Sequence, residues 1–130
     1  MDVRNLQVGL VPRDLQRSLR FYRDVLGLEP ADTIDLGEGR ALHMFTVGDA
    51  VLKLWESPDT PIVAPSEPEW DQMTGIRWVS FDTNELDAAA ARCLAAGEAV
   101  PMPPTEIRPG LRVANLADPD GNRVELVEWS

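Results

Sequence analysis

The chain is poor in cysteine, histidine and clustered positive charge, and each shortage removes a class of function. Cys93 is its one cysteine, so no internal disulfide can form, and a reducing cytoplasm suits it. Lying in an alanine-rich helical stretch, it reads as a buried spectator thiol. His43 is the one histidine, so any imidazole chemistry must pass through it. Lys and Arg number 12 against 22 Asp and Glu, for a net charge of −10, and the cations are scattered. A nucleic-acid backbone needs a clustered cationic face, so that partner is excluded. The negative balance serves solubility. No apolar run reaches the roughly 18 residues of a membrane span. Met1-Asp2-Val3-Arg4-Asn5 lacks the charged-then-apolar layout of a signal peptide. Serine elbows, phosphate loops and CxxC pairs are absent as well.

What is present is a globular composition, with 44% hydrophobic and 26% charged residues, and a phrase used twice. The second copy runs from Leu116 to Trp129. There a Pro119/Asp120/Gly121/Asn122 turn leads into a strand whose Val124 and Leu126 alternate with Arg123, Glu125 and Val127. The first copy runs from Val47 to Glu56, with its turn at Gly48-Asp49. Superposing them places Lys53 where the second copy has Glu125. Asp118 and Asp120 resemble a carboxylate pair, but their spacing around Pro119 and Gly121 is that of a turn.

Each copy closes a similar half. Residues 6–11 read as a strand ended by Pro12, and Asp14 is the expected N-cap of a helix stopped by Gly27. Leu15, Leu19, Tyr22 and Leu26 make its expected apolar stripe. Strands follow at 41–47 and 50–56, while 31–36 carries only a weak strand signal. In the second half, 76–81 is a strand, and Thr83 or Asn84 caps a helix from Glu85 to Ala96 that Gly97 closes. Residues 102–106 read as irregular, before strands at 111–116 and 123–129. Residues 57–70 contain four prolines, which forbid regular structure. The organisation is a first module at 1–57, a connector at 58–74 and a second module at 75–130. That connector is either a plain link or a lid over a site, with Trp70 as its anchor.

Two phrases carry a family resemblance. They are Asp14-Leu15-Gln16-Arg17-Ser18-Leu19-Arg20-Phe21-Tyr22-Arg23-Asp24-Val25-Leu26-Gly27-Leu28 and Asp118-Pro119-Asp120-Gly121-Asn122-Arg123-Val124-Glu125-Leu126. With the repeat, they make the chain similar to the vicinal oxygen chelate superfamily, which holds glyoxalase I, bleomycin-resistance proteins, fosfomycin-resistance enzymes and extradiol dioxygenases. For the fold these motifs are specific; for the reaction they are not. The resemblance implies an α+β fold of two βαβββ modules, a cupped mixed sheet with helices on its outer face, and a homodimer. It also implies one divalent metal held by four side chains. Those positions fall on Gln7, Lys53, Ile76 and Glu125. A catalytic metal needs about three protein ligands, and an ammonium repels one. The expected cofactor is therefore none, with a divalent metal disfavoured.

Alternation divides the strands into two faces. Val8, Leu10, Leu52, Leu54, Val79, Phe81, Val124 and Leu126 are expected to meet the helices. Gln7, Gly9, Val11, Val51, Lys53, Trp55, Ile76, Trp78, Ser80, Arg123, Glu125 and Val127 are expected to face the ligand. A slip of one residue would exchange the two sets. Lys53 and Glu125 are expected to pair across the cup, either as a structural ion pair or as a donor and a base toward a ligand. Trp55 and Trp78 either sandwich a planar ligand or only fill space. The facing of His43 depends on the hairpin register around Gly48, so both a spectator and a ligand-contacting histidine stay open.

The first reading is a metal-independent, cytoplasmic protein that binds a small, apolar or aromatic molecule, with no nucleic-acid or membrane partner. One alternative is a lyase or isomerase acting on a carbonyl compound, with Glu125 and Lys53 as its acid–base couple. Another is a metal-dependent glyoxalase or dioxygenase with an altered ligand set, such as Gln7, Glu125 and His43.

Overall fold

The computed structural model describes residues 1–63 and 71–130. The chain divides into two compact units, Met1–Val63 and the remainder to Ser130, so the division falls inside the expected connector. The described flanks of that connector, 57–63 and 71–77, carry no helix or strand. The expectation for Trp70 lies outside the described residues.

Unit 1 contains β1 (Gln7–Leu10), α1 (Leu15–Arg20), β2 (Glu29–Gly37), β3 (Arg40–Val47) and β4 (Ala50–Glu56), with strand order β1-β4-β3-β2. β1 lies parallel to β4, and the other pairs are antiparallel. Asp14 caps α1 as expected, its carboxylate accepting the Arg17 N–H at 3.1 Å. Gly27, at φ +69°, closes the helical segment.

Between these ends the helix departs from expectation. Phe21–Val25 forms a wider π-helical turn, closed by Leu26 N–H donating to the Phe21 carbonyl at 3.0 Å. The buried stripe is Ser18, Phe21, Tyr22 and Val25, while Leu15, Leu19 and Leu26 sit at its margins. Two adjacent rings must both be buried, which moves the centre of the stripe. Tyr22 meets Phe21 edge-on at 5.1 Å and Phe45 of β3 at 6.4 Å. Leu52 and Leu54 of β4 lie beneath the helix, fully or almost fully buried.

Unit 2 contains β5 (Trp78–Asp82), α2 (Leu86–Ala95), β6 (Met102–Arg108), β7 (Leu111–Ala117) and β8 (Arg123–Trp129), in the order β5-β8-β7-β6. β5 runs parallel to β8, so the order and directions repeat those of unit 1. α2 lays Leu86, Ala89, Ala90 and Cys93 on the sheet, where Ala114, Leu116, Val124 and Leu126 are buried. Cys93 is the expected spectator: its thiol donates to the Ala99 carbonyl at 3.4 Å, and burial pushes its pKa up to about 11. Asp118 belongs to a turn, its carboxylate accepting the Asp120 and Asn122 N–H groups at 3.0 and 2.8 Å.

Three local expectations need correction. The segment read as irregular, 102–106, belongs to β6. Its prolines are tolerated because β6 is an edge strand, and its pairing shifts between Met102 and Thr105. The weak signal at 31–36 is part of the nine-residue β2, another edge, exposed on both faces and therefore without alternation. The cap of α2 falls on Glu85 rather than on Thr83 or Asn84. Thr83 Oγ1 accepts the Glu85 N–H at 3.0 Å, and Glu128, reaching over from β8, accepts the Leu86 N–H at 3.3 Å. Arg112 of β7 steadies Glu128 at 3.0 Å and grips both carboxylate oxygens of Asp87 at 2.9 and 2.7 Å.

Two predictions follow from this packing. Leu54→Ala leaves a cavity under α1 and lowers unfolding free energy by about 2–5 kcal/mol in urea titration. The hydrogen bond from Arg112 holds Asp87 below its ordinary value of 3.8, so the pair stabilises the fold above that pH. The contribution is lost as pH falls through the lowered value. The gap in Tm between wild type and Asp87→Asn is therefore present at neutral pH and closes in acid, as pH falls below 3.8 and through the lowered value. A gap that persists in acid contradicts this.

Candidate functional site

Strand register assigns every side chain to a face. In unit 1, β1 pairs Gln7 with Val51, Val8 with Leu52, Gly9 with Lys53 and Leu10 with Leu54. Val8, Leu10, Leu52 and Leu54 therefore line the helix face, and Gln7, Gly9, Val51, Lys53 and Trp55 the far face. In unit 2, β5 pairs Trp78 with Arg123, Val79 with Val124, Ser80 with Glu125 and Phe81 with Leu126. Val79, Phe81, Val124 and Leu126 share the helix face, and Trp78, Ser80, Arg123, Glu125 and Val127 share the far face. Apart from Val11 and Ile76, which lie outside β1 and β5, both divisions are those expected from alternation.

The register settles His43. It pairs with Leu54, and its neighbours across the strands, Thr33 and Leu54, share its face. His43 is on the helix face, opposite Gln7 and Lys53. Its Nδ1 lies 3.5 Å from Thr33 Oγ1 and its Nε2 3.6 Å from Glu56. The imidazole therefore cannot join Gln7 in a ligand set on the far face.

The register also corrects Ile76. That residue precedes β5 and is 89% exposed. Gln7 stands two residues before Gly9, the partner of Lys53; Trp78 stands two residues before Ser80, the partner of Glu125. Trp78 is thus the counterpart of Gln7. Reading the strand from its apolar run alone misplaced the position by two residues, one full pleat.

Register places on the far faces several residues that the sequence alone left unassigned, three of them beside the central side chains. Met44 pairs with Lys53, Leu42 with Trp55, and Asn115 with Glu125. Strict alternation across the hairpins was the signal that could have found them. Corresponding positions are therefore Gly9–Lys53–Met44 in unit 1 and Ser80–Glu125–Asn115 in unit 2. The ammonium has an aliphatic and thioether setting; among the described residues it has no ion pair. A Cβ on Gly9 would meet nothing within 4 Å. The carboxylate has a polar setting, with Ser80 Oγ–H donating to Glu125 Oε1 at 2.8 Å. Asn115 is buried and directs its amide to Met102 Sδ at 3.8 Å.

Two tryptophans complete the faces. Trp78 is 46% exposed, on the edge strand β5. Trp55 is half-buried and walls a pocket of about 100 Å³ with Val11, Leu15, Pro58, Arg13 and Glu56.

This topology and these motifs agree with one family. The description Glyoxalase/Bleomycin resistance protein/Dioxygenase superfamily matches residues 5–126. The chain belongs to that superfamily. Over 122 residues it is 34% identical to an anthracycline biosynthesis protein, DauV, of Streptomyces sp. (strain C5), covering 93% of this chain and 40% of that protein. Over 120 residues it is 30% identical to a catechol-2,3-dioxygenase of Bacillus subtilis (strain 168), covering 90% and 38% respectively. The chain thus spans about two fifths of the length of these curated relatives. The fold of glyoxalase I from Zea mays is shared at a TM-score of 0.76 and 19% identity, over 97% of this chain and 47% of that one.

The superfamily resemblance implies a divalent metal, and the donors present do not fit one. Corrected for register, the four positions hold Gln7, Lys53, Trp78 and Glu125. An ammonium has no lone pair while charged, and an indole N–H only donates. Two oxygen ligands remain where about three are needed. Among the described residues no three His, Cys, Asp or Glu side chains converge.

Replacing His43 by Ala is expected to lower thermal stability and to leave uptake of Zn²⁺ or Ni²⁺ in equilibrium dialysis unchanged. A His43-dependent loss of bound metal would place the imidazole in a ligand set.

Proposed function

We propose that this superfamily member binds a small, apolar or aromatic molecule on its far faces without a resident metal. The observation that carries the reading is the far-face chemistry. It offers Trp55 and Trp78 as planar surfaces, with Lys53 and Glu125 in place of a full ligand set. Tryptophan provides a large contact area at little entropic cost, and a few charged groups then orient the guest. The relatives named for anthracycline biosynthesis and catechol dioxygenation support the aromatic class. In this reading Gln7, Val51, Arg123 and Val127 are flanking contacts, and the working form is a homodimer.

One observation favours a second reading. Glu125 is held by Ser80, and an oriented carboxylate suits a general base acting on a carbonyl compound. Product formation without metal distinguishes catalysis from binding alone.

Two measurements test the first reading. Untagged protein dialysed against Zn²⁺, Ni²⁺ or Fe²⁺ should retain far less than one metal per chain by elemental analysis. Calorimetric titration with 2-naphthol and with 2-methoxynaphthalene should give saturable binding. Affinity should fall about tenfold in Trp78→Ala, the scale of one lost aromatic contact. One metal per chain, or no saturable binding of either probe, overturns the reading. Lys53→Met should weaken binding severalfold; unchanged affinity confines Lys53 to a structural role.

A further inference from the structure

The far face of unit 2 contains a compact block of four side chains. Trp78 and Ser80 stand one pleat apart on β5; Arg123 and Glu125 stand beside them on β8, at the same levels. Same-face neighbours along a strand are roughly 7 Å apart and adjacent strands about 5 Å apart. A two-ring aromatic lying on Trp78 therefore reaches the Ser80–Glu125 level with a substituent at its far end.

At that level the hydrogen-bonding account is uneven. Glu125 Oε1 accepts from Ser80 Oγ–H at 2.8 Å. Asn115, the neighbour on the other side, turns its amide to Met102 Sδ, so it does not occupy the second oxygen. Among the described residues Oε2 accepts no hydrogen bond. Glu125 is half-buried beside the exposed Ser80, so Oε2 is open to solvent and a ligand's donor would take the place of water there, making a charge-assisted hydrogen bond. The Ser80 bond holds the carboxylate in one rotamer, which removes the entropy that an unheld side chain would lose on binding.

The corresponding place in unit 1 has no such arrangement. Gly9 replaces Ser80, Met44 replaces Asn115, and the charged group is a donor, Lys53. The acceptor site is therefore particular to unit 2 and is not a consequence of the repeat.

We infer that the far face of unit 2 selects aromatic ligands bearing a hydroxyl or other N–H/O–H donor, read by Glu125 Oε2 and positioned by Ser80. Ser80 acts through Glu125 and is a positioning residue. The inference rests on the reading that the far faces bind an aromatic molecule, and it adds which aromatic molecules are favoured.

The test is a pair of probes that differ only in the donor, 2-naphthol and 2-methoxynaphthalene, titrated by calorimetry at pH 7. Wild type is expected to prefer 2-naphthol by about tenfold or more, the scale of one hydrogen bond to a charged acceptor. In Glu125→Leu the ratio of the two affinities should fall below about threefold, as expected when the donor contact is lost. Ser80→Ala should lose most of the preference and Ser80→Thr, which keeps the hydroxyl, should restore it. Circular dichroism establishes that each variant is folded. Equal affinity for both probes in wild type overturns this inference and leaves aromatic binding standing. A preference that survives in both Glu125→Leu and Ser80→Ala overturns it too. Failure of both probes to bind overturns it together with the reading beneath it.

Discussion

Strand register is pinned in both units by burying alternate residues of β4 and β8 beneath a helix. Leu52 and Leu54 lie under α1 and Val124 and Leu126 under α2, all essentially without solvent contact. A slip of one residue would drive Lys53 or Glu125 into the helix interface, at the cost of desolvating a charge with no partner there. The hydrophobic effect on one face therefore sets the chemistry of the other.

Within that constraint the two units have diverged at matched positions. Their strand orders and directions are the same, and so is the pairing that sets Gly9 against Lys53 and Ser80 against Glu125. What differs is the side chains around the central charge. The carboxylate is held by a hydroxyl and the ammonium has no polar partner among the described residues, although a β-carbon would fit beside it at Gly9. A repeat whose backbone is kept while its central charges are opposite offers both a donor and an acceptor on one scaffold. That is the physical sense in which superfamily membership says much about the fold and little about the reaction.

The polar network of unit 2 links the same strands to the helix. Arg112 and Glu128, neighbours across β7 and β8, reach Asp87 and the Leu86 N–H at the start of α2. A helix whose own sequence supplies no capping side chain at Glu85 thus draws its cap from the sheet. β8 presents Glu128 to the helix and Glu125 to the far face, so one strand serves both stability and the candidate site.

The repeat, the helix limits at Asp14, Gly27 and Gly97, and the far-face set around Lys53 and Glu125 were legible in the sequence. All are local: a cap, a left-handed glycine and an alternation of period two need only neighbouring residues. The edge strands β2 and β6 were not legible. Exposure on both faces erases alternation in β2, and the prolines of β6 are acceptable only because no strand lies beyond it. The π-helical turn buries Phe21 and Tyr22 side by side, with Tyr22 against Phe45 of β3, a demand set by packing. The face of His43, the equivalence of Trp78 with Gln7, and the contacts of Glu125 with Ser80 and Asn115 are cross-strand facts. A sequence states which residues alternate; only the paired strands decide which of them stand side by side, because hydrogen-bond register joins residues that the chain keeps far apart.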